Sequence, residues 1–270
     1  MPNITLHTLN ELKQKREKFA VLTAYDAIFS ETLSLCGIEL LLVGDSLGMV
    51  LQGHDSTLPV TLEQMVYHTQ CVAKGNKGSL IMADLPFMSY ATENQALESS
   101  ATLMRAGAHL VKLEGGSWLL NSIKSLKERG IPTCVHLGLT PQSIHKFGGF
   151  RVQGKTDIQA KTLIEDSIKA EKMGADLLLL ECIPRQVTQK IMLSVNIPVI
   201  GIGAGPECDA QVLVLHDLLG LGSGKRPRFI KNFLNGSVSG NDGASGIEEA
   251  IKRYIEAVKS GTFPSNEHCF

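Results

Sequence analysis

Short apolar runs alternate with longer amphipathic segments along most of the chain. Eight of these runs have the length of a β-strand and a mainly apolar body, and they cover residues 19–24, 40–43, 79–84, 108–114, 132–136, 176–181, 198–203 and 211–216. Helical patterns separate most of the runs, with glycine or proline at the boundaries. Alternation of this kind predicts a parallel sheet whose strands are buried on both faces.

The number of strand–helix units favours one closed (β/α)8 barrel, an α/β fold, over an open doubly wound sheet. No Gly-x-Gly-x-x-Gly follows the first run, as a dinucleotide-binding sheet requires. We predict a single domain over residues 1–270, a length typical of such barrels. Its helical additions are a first helix over 8–16, N-capped by Thr8, and an appended C-terminal helix over 247–260 that follows a flexible link at 240–246.

Composition and charge argue against several classes of partner. A net charge of -1 gives no electrostatic basis for binding nucleic acid or an anionic membrane. The sequence has neither a signal pattern at its start nor an apolar run long enough to span a bilayer. Its six cysteines are scattered without a C-x-x-C pair, which is typical of reduced thiols. The sequence therefore predicts a cytoplasmic protein that binds neither nucleic acid nor membrane.

Polar residues stand at the carboxyl ends of the apolar runs, which is where α/β barrels hold their active sites. Lys112 precedes Glu114 by two positions, so both side chains point to the same side of their strand. Two charged groups favour the solvent-accessible end of the barrel interior over the apolar layer between strands and helices. The polar residues at the strand ends are Asp45, Ser46, Asp84, Glu114, His136, Glu181 and His216.

Three of these acids, Asp45, Asp84 and Glu114, come from consecutive strands and can converge. Three adjacent carboxylates repel one another unless a cation lies among them. A set of oxygen ligands suits Mg²⁺ or Mn²⁺ rather than zinc. For each acid alone, a helix cap or an ordinary ion pair is the simpler interpretation. For three acids on adjacent strands, we favour the metal site.

Glu181 ends an apolar run on a later strand, across the barrel from the three acids. Apolar surroundings raise the pKa of a carboxyl group toward the range of a general base. The alternative is a structural glutamate paired with Arg185. His136 has no metal-ligand spacing around it, so it is either a satisfied hydrogen-bonding group or a substrate contact. The glycine-bearing segments 48–60 and 148–154 are candidates for covering the pocket.

The motifs around these residues resemble those of ketopantoate hydroxymethyltransferases (3-methyl-2-oxobutanoate hydroxymethyltransferases). The longest is Gly44-Asp-Ser-Leu-Gly-Met-Val-Leu-Gln-Gly-His-Asp-Ser-Thr-Leu-Pro-Val-Thr61. The resemblance runs from about Leu6 to Phe233, with Arg226-Pro-Arg228 as a variant of a more lysine-rich stretch. Further matching segments, in the order of the family, are residues 23–26, 83–90, 111–116, 136–143, 148–155, 181–184, 201–205 and 212–217.

The resemblance implies transfer of a hydroxymethyl group from 5,10-methylenetetrahydrofolate to 3-methyl-2-oxobutanoate. The products would be ketopantoate and tetrahydrofolate, in pantothenate biosynthesis, through an enolate stabilised by Mg²⁺. It also implies a homodecamer in the cytoplasm. The implied roles are Mg²⁺ binding by Asp45, Asp84 and Glu114, proton acceptance by Glu181, and substrate binding by Asp45, Ser46, Asp84 and Lys112, with His136 as a further candidate contact.

Two other functions stay open at the level of sequence. A Mg²⁺-dependent C–C lyase of the phosphoenolpyruvate mutase and isocitrate lyase type also handles enolates in a barrel. Those enzymes generally use a cysteine on a mobile loop, and the sequence has no obvious counterpart. Cleavage of a 2-methylisocitrate-like acid without folate would favour the lyase. A non-catalytic metabolite-binding barrel is the other alternative, which a turnover assay distinguishes.

Overall fold

Eight parallel strands form a closed barrel in the computed structural model, which describes residues 3–222, 226–234 and 243–270. Each strand pairs with its neighbour in sequence, and the last strand pairs with the first. The predicted (β/α)8 barrel is therefore confirmed. The strands are β1 Phe19–Thr23, β2 Leu40–Val43, β3 Leu80–Asp84, β4 Leu110–Glu114, β5 Thr133–Gly138, β6 Leu177–Glu181, β7 Val199–Ile202 and β8 Ala210–Leu213.

A ring of helices surrounds the barrel, and short helices lie in the connections at the carboxyl ends of the strands. Neighbouring members of the ring pack against one another, with the C-terminal helix against both β1 and the second helix. The helices are α1 Leu6–Lys15, α2 Ala27–Cys36, α3 Leu47–Val50, α4 Leu62–Gly75, α5 Glu93–Ala106, α6 Leu120–Glu128, α7 Ile144–Phe147, α8 Asp157–Met173, α9 Arg185–Met192, α10 Leu215–Leu218 and α11 Gly243–Lys259.

The first helix begins earlier than predicted. Thr5, and not Thr8, is the N-cap of α1. Thr5 Oγ1 accepts from the Thr8 N–H at 3.2 Å, and Thr8 Oγ1 accepts from the Thr5 N–H at 3.2 Å. Thr8 is thus the second partner of a capping box. Leu9 of this helix is fully buried and packs with the residues of the barrel interior.

Two other boundaries differ from the predictions. Strand β8 ends at Leu213, because Val214 turns the chain and the Leu215 N–H bonds to Thr23 Oγ1 at 2.9 Å. His216 consequently lies in α10 and not at the end of a strand. Helix α11 starts at Gly243, so residues 243–246 of the predicted link are helical. Residues 240–242 of that link and 223–225 of the loop before it lie outside the described residues.

The alternation of side chains along each strand decides which residues reach the barrel interior. One set of alternate positions fills the interior, for example Leu80 and Met82 on β3 and Leu177 and Leu179 on β6. The other set packs against the helices. We call the inward-pointing alternate positions of a strand its inward row. Toward the carboxyl ends of four strands, the inward rows reach the polar side chains Asp84, Glu114, His136 and Glu181. The hydrophobic pattern thus determines both the core and the polar end of the barrel.

Gly75, the last residue of α4, allows this helix to contact α2 closely. A Cβ atom on Gly75 would lie 1.9 Å from the Ala27 carbonyl oxygen. We expect Gly75→Ala to destabilise the protein by about 3 kcal/mol, the upper part of the range for overpacking, because backbone atoms cannot move aside. Denaturant unfolding measures this loss.

Gly37→Ala is the matched control for Gly75→Ala. Gly37 has a positive φ of 100° but open space around its Cβ position. Its replacement should cost only the backbone strain, about 1–2 kcal/mol. A loss for Gly75→Ala no larger than that for Gly37→Ala would contradict the close approach of the two helices.

The cysteines agree with the predicted absence of a disulfide framework. All six cysteines are free thiols. In the described parts of the chain, the helices are too short or too polar to cross a bilayer.

Candidate active site

The inward polar residues line one cavity at the carboxyl end of the barrel. Its volume is about 700 Å³, within the range of clefts that bind organic ligands. Ser46, Lys112 and Glu181 line it together with the three predicted metal ligands and His136. The structure thus brings together the catalytic, metal-binding and substrate-binding residues predicted from the sequence.

The Lys112 ammonium group contacts two of the three acids. Lys112 Nζ is 2.8 Å from Asp84 Oδ1 and 3.5 Å from Glu114 Oε1. The Asp45 N–H donates to Asp84 Oδ2 at 3.0 Å. The side chains of Lys112, Asp84 and Glu114 are almost completely buried. The sequence predicted that Asp84 and Glu114 converge and that Lys112 points to the same side as Glu114. The pairing of Asp84 with Lys112 between β3 and β4 brings all three together.

The acids outnumber the lysine, and their pKa values reflect this. Burial raises the pKa of Asp45 well above its ordinary value, and the charges of Asp84 and Glu114 add to the rise. Burial by itself would lower the pKa of Lys112, but the surrounding carboxylates outweigh it and raise that pKa well above its usual range. For Glu114, burial is outweighed by Lys112 and His136, which lower its pKa. The cluster therefore favours the uptake of a further cation or a proton.

His136 connects the acid cluster to Glu181. Its Nδ1 is 3.3 Å from Glu114 Oε1, and its Nε2 is 3.3 Å from Glu181 Oε2. Burial and Lys112 lower the pKa of His136, but the two carboxylates outweigh them and raise it to about 8. Arg185, the structural partner considered for Glu181, donates to Glu207 instead. With 12% of its side chain exposed, Glu181 is more accessible than the acids of the cluster.

Ser46 lies at the edge of the cavity, directly after Asp45. Its Oγ is 2.9 Å from the hydroxyl oxygen of Tyr25, and burial raises the pKa of that tyrosine above its ordinary value. A Cβ atom on Gly44 would lie 2.7 Å from Ser46 Oγ, so a larger residue there would displace the Ser46 hydroxyl group. His216 does not line the cavity; its ring lies 5.7 Å from that of Tyr25. It is the strand-end candidate that the structure leaves outside the site.

Gln142 supports the acid cluster from behind the cavity wall, a role that the sequence did not predict. Its backbone N–H donates to Glu114 Oε2 at 2.9 Å. Its side-chain amide donates to Asp45 Oδ2 at 2.8 Å and to the Leu85 carbonyl at 2.9 Å, and its amide oxygen accepts from the Tyr90 hydroxyl. Gln142 thus holds two of the three acids in one orientation. It stands in a matching motif, 136–143, but a glutamine after Thr-Pro carries no general signal of this role.

The three acids do not by themselves form a complete metal cage. Across the described ranges, no group of three histidine, cysteine, aspartate or glutamate side chains has the geometry to enclose a metal ion. The oxygen donors nevertheless fit Mg²⁺, which keeps several waters and is typically held by one or two carboxylates together with substrate oxygens. Glu114 Oε1 supports this fit, because it is buried and accepts no hydrogen bond of regular geometry from the described residues.

The model of the family described as ketopantoate hydroxymethyltransferase matches residues 3–266. The chain belongs to this family. The chain is 57% identical over 267 residues to 3-methyl-2-oxobutanoate hydroxymethyltransferase of Marinobacter nauticus, covering 99% of this chain and 98% of that protein. It is also 57% identical to 3-methyl-2-oxobutanoate hydroxymethyltransferase 2 of Hahella chejuensis, covering 99% of both chains. The family resemblance predicted from the motifs is confirmed, and the protein is a hydroxymethyltransferase.

Solved structures of lower sequence similarity share the architecture of this family member. Phosphoenolpyruvate phosphomutase from Streptomyces platensis subsp. rosaceus superposes with a TM-score of 0.59 at 12% identity, covering 77% of this chain and 82% of that chain. At this level of identity the likeness concerns the fold alone.

Proposed function

We propose that this hydroxymethyltransferase converts 3-methyl-2-oxobutanoate to ketopantoate, with 5,10-methylenetetrahydrofolate as the one-carbon donor. In the overall reaction, the C3–H bond of the oxo acid and both C–N bonds of the bridging methylene group break. A C3–carbon bond and a carbon–oxygen bond from water form. The C3 proton and one proton of water end on the two nitrogens of tetrahydrofolate, so atoms and charge balance.

The acid cluster supports Mg²⁺ as the cofactor, held by Asp45 and Asp84 with Glu114 nearby. The excess of buried carboxylates favours a divalent cation there, and the oxygen-only donor set matches Mg²⁺. When bound, Mg²⁺ supplies Lewis acidity to the keto and carboxylate oxygens of the substrate and so favours enolisation. Lys112 offsets negative charge on the bound acid at the same end of the cavity, and Ser46 contributes a hydroxyl group to its binding.

Glu181 is the proposed acceptor of the C3 proton. It lines the same cavity as the cluster but is separated from Glu114 by the ring of His136. A base in this position can reach the substrate carbon without also ligating the metal. His136 lies between the two parts of the site, with Nε2 3.3 Å from the Glu181 carboxylate and Nδ1 3.3 Å from Glu114. We propose that His136 contacts either the substrate or the base, Glu181.

The observation that carries this proposal is the separation of the acids into a cluster around Lys112 and a more exposed carboxylate at Glu181. Three buried acids with one ammonium group suit charge stabilisation, and a fourth acid on the far side of His136 suits proton transfer. Turnover of 3-methyl-2-oxobutanoate with methylenetetrahydrofolate and Mg²⁺ tests the whole reaction. Formation of ketopantoate supports the proposal, and its absence from a folded preparation contradicts it.

Gln142 should be necessary for strong Mg²⁺ binding. Gln142→Met keeps the length of the side chain but removes the bond to Asp45 and the acceptor for Tyr90. Residues that orient metal ligands typically contribute 10- to 100-fold to metal affinity. We expect Mg²⁺ binding to weaken by about 10- to 100-fold, measured by isothermal titration calorimetry without substrate. Gln70→Met, on the outer face of α4, is the matched control, and equal affinities of the two variants would contradict the role of Gln142.

The lyase alternative lacks a suitable cysteine in the described part of the chain. Cys182 lines the cavity, but it is buried and directly follows strand β6. Burial raises the pKa of its thiol well above the ordinary value, which disfavours the reactive thiolate. We therefore retain the transferase as the proposed function. Assembly as a homodecamer stays a prediction, which analytical ultracentrifugation tests.

A further inference from the structure

The cavity extends well beyond the acid cluster. A small branched oxo acid near Lys112 fills only a minor part of about 700 Å³, a volume typical of sites for drug-sized ligands. The remaining space is an outer chamber, which we define by six residues that the proposed chemistry of the oxo acid does not use. These residues are Phe150, Asp217, Arg226, Arg228, Phe229 and Phe270.

Aromatic rings form the walls of the outer chamber. Phe150 is 56% exposed although it faces the cavity. Phe229 and Phe270 converge over Gly203, since a Cβ on that glycine would lie 3.0 Å from Phe229 Cδ1 and 3.1 Å from Phe270 Cε2. Aromatic walls with one largely exposed ring suit a planar ligand, which can stack on such a ring.

Two arginines give the outer chamber a charge opposite to that of the inner cluster. Arg226 donates one N–H to the Gly220 carbonyl, and Arg228 donates Nε–H to the Glu267 carbonyl at 2.7 Å. A guanidinium group has five N–H donors, so each arginine keeps donors for a ligand. Asp217 is the acid among the six residues, and burial raises its pKa to about 6. The chamber residues therefore carry two positive charges against one carboxyl group.

We propose that the outer chamber binds the folate co-substrate, with its planar rings against Phe150 and Phe229 and its carboxylate tail at Arg226 and Arg228. This inference rests on the proposed function, which requires a one-carbon donor beside the oxo acid. The donor in its reactive iminium form is cationic at the transferable carbon and anionic at the far end of the molecule. The cavity has complementary charges, because the acids belong to its buried lining and the two arginines to its exposed lining.

The test is the affinity of the intact enzyme for tetrahydrofolate, measured by fluorescence titration. Arg226→Gln and Arg228→Gln should each weaken binding at least tenfold, whereas Arg129→Gln, at the opposite end of the barrel, should not change it. Tetrahydropterin, which lacks the tail, should bind the arginine variants as it binds the wild type. Phe150→Ala should weaken the binding of both ligands. It tests the site for the planar rings and leaves the bond from Arg228 to the Glu267 carbonyl in place.

Tetrahydrofolate affinities within twofold of the wild type in Arg226→Gln, Arg228→Gln and Phe150→Ala would overturn the assignment of the chamber. If the arginine variants lost as much affinity for tetrahydropterin as for tetrahydrofolate, the placement of the carboxylate tail would be overturned. Failure of the proposed function is a separate result, because wild-type exchange of the C3 proton of 3-methyl-2-oxobutanoate needs no folate. An enzyme that exchanges this proton but binds folate independently of the chamber refutes only the present inference.

Discussion

Glu181→Gln should reduce exchange of the C3 proton of 3-methyl-2-oxobutanoate by about 10²- to 10⁴-fold, the usual contribution of a positioned general base. Glutamine has the size of glutamate and can stay in contact with the His136 ring, but its amide cannot accept the proton. Glu181 lies outside the cluster of Asp84, Glu114 and Lys112. We therefore expect Mg²⁺ affinity to remain within about twofold of the wild type, since the cluster keeps its charges.

Deuterium exchange followed by NMR measures the first effect, and isothermal titration calorimetry with Mg²⁺ measures the second. Glu98→Gln makes the same chemical change on the exposed face of α5 and serves as the control. Undiminished exchange in Glu181→Gln would remove Glu181 as the base. A parallel loss of Mg²⁺ affinity would instead make Glu181 a part of the metal site.

Asp84→Asn should weaken the binding of Mg²⁺ and of the oxo acid together. Asp84 accepts the Asp45 N–H through one oxygen and contacts the Lys112 ammonium through the other. Asparagine keeps the shape but removes one charge and one metal ligand. Since residues that only orient ligands contribute about 10- to 100-fold, loss of a ligand should exceed about 100-fold in Mg²⁺ affinity.

The decisive comparison for Asp84→Asn is the affinity for the oxo acid with and without Mg²⁺. In the wild type, Mg²⁺ should increase this affinity, and in the variant the increase should be lost. Asp166→Asn, on α8 outside the cavity, is the control for the charge change. An oxo-acid affinity that does not depend on Mg²⁺ in the wild type would refute the shared site.

Most of the fold could be predicted from the hydrophobic pattern. The strands came from apolar runs such as residues 40–43, and the cap residues Thr61, Thr92 and Thr156 begin their helices as the N-cap rules require. Errors occurred where two local signals compete. Thr5 and Thr8 can both cap α1, and the helix begins after the earlier one, which adds the partly buried Leu6 to its packed side.

The part of the candidate site that follows from the alternation of side chains along the strands could be predicted. Asp84, Glu114, His136 and Glu181 end the inward rows of four strands, so periodicity alone brings them together. His216 was placed wrongly at a strand end, because the apolar run 211–216 contains no signal for the turn at Val214. Gln142 was missed because its role depends on a loop conformation that joins Asp45 to Glu114 across the barrel mouth. No periodic pattern in the sequence predicts a contact that depends on the conformation of a loop.

In the proposed reaction, this barrel removes the C3 proton of the oxo acid in a Mg²⁺-dependent step, before the one-carbon unit is transferred. The most direct measurement is deuterium exchange at C3 of 3-methyl-2-oxobutanoate by the wild-type enzyme, with and without Mg²⁺ and with and without methylenetetrahydrofolate. We expect exchange that needs enzyme and Mg²⁺ but no folate, and ketopantoate only when all components are present. Exchange that continues at the same rate after the metal is removed by a chelator would refute Mg²⁺-dependent enolisation.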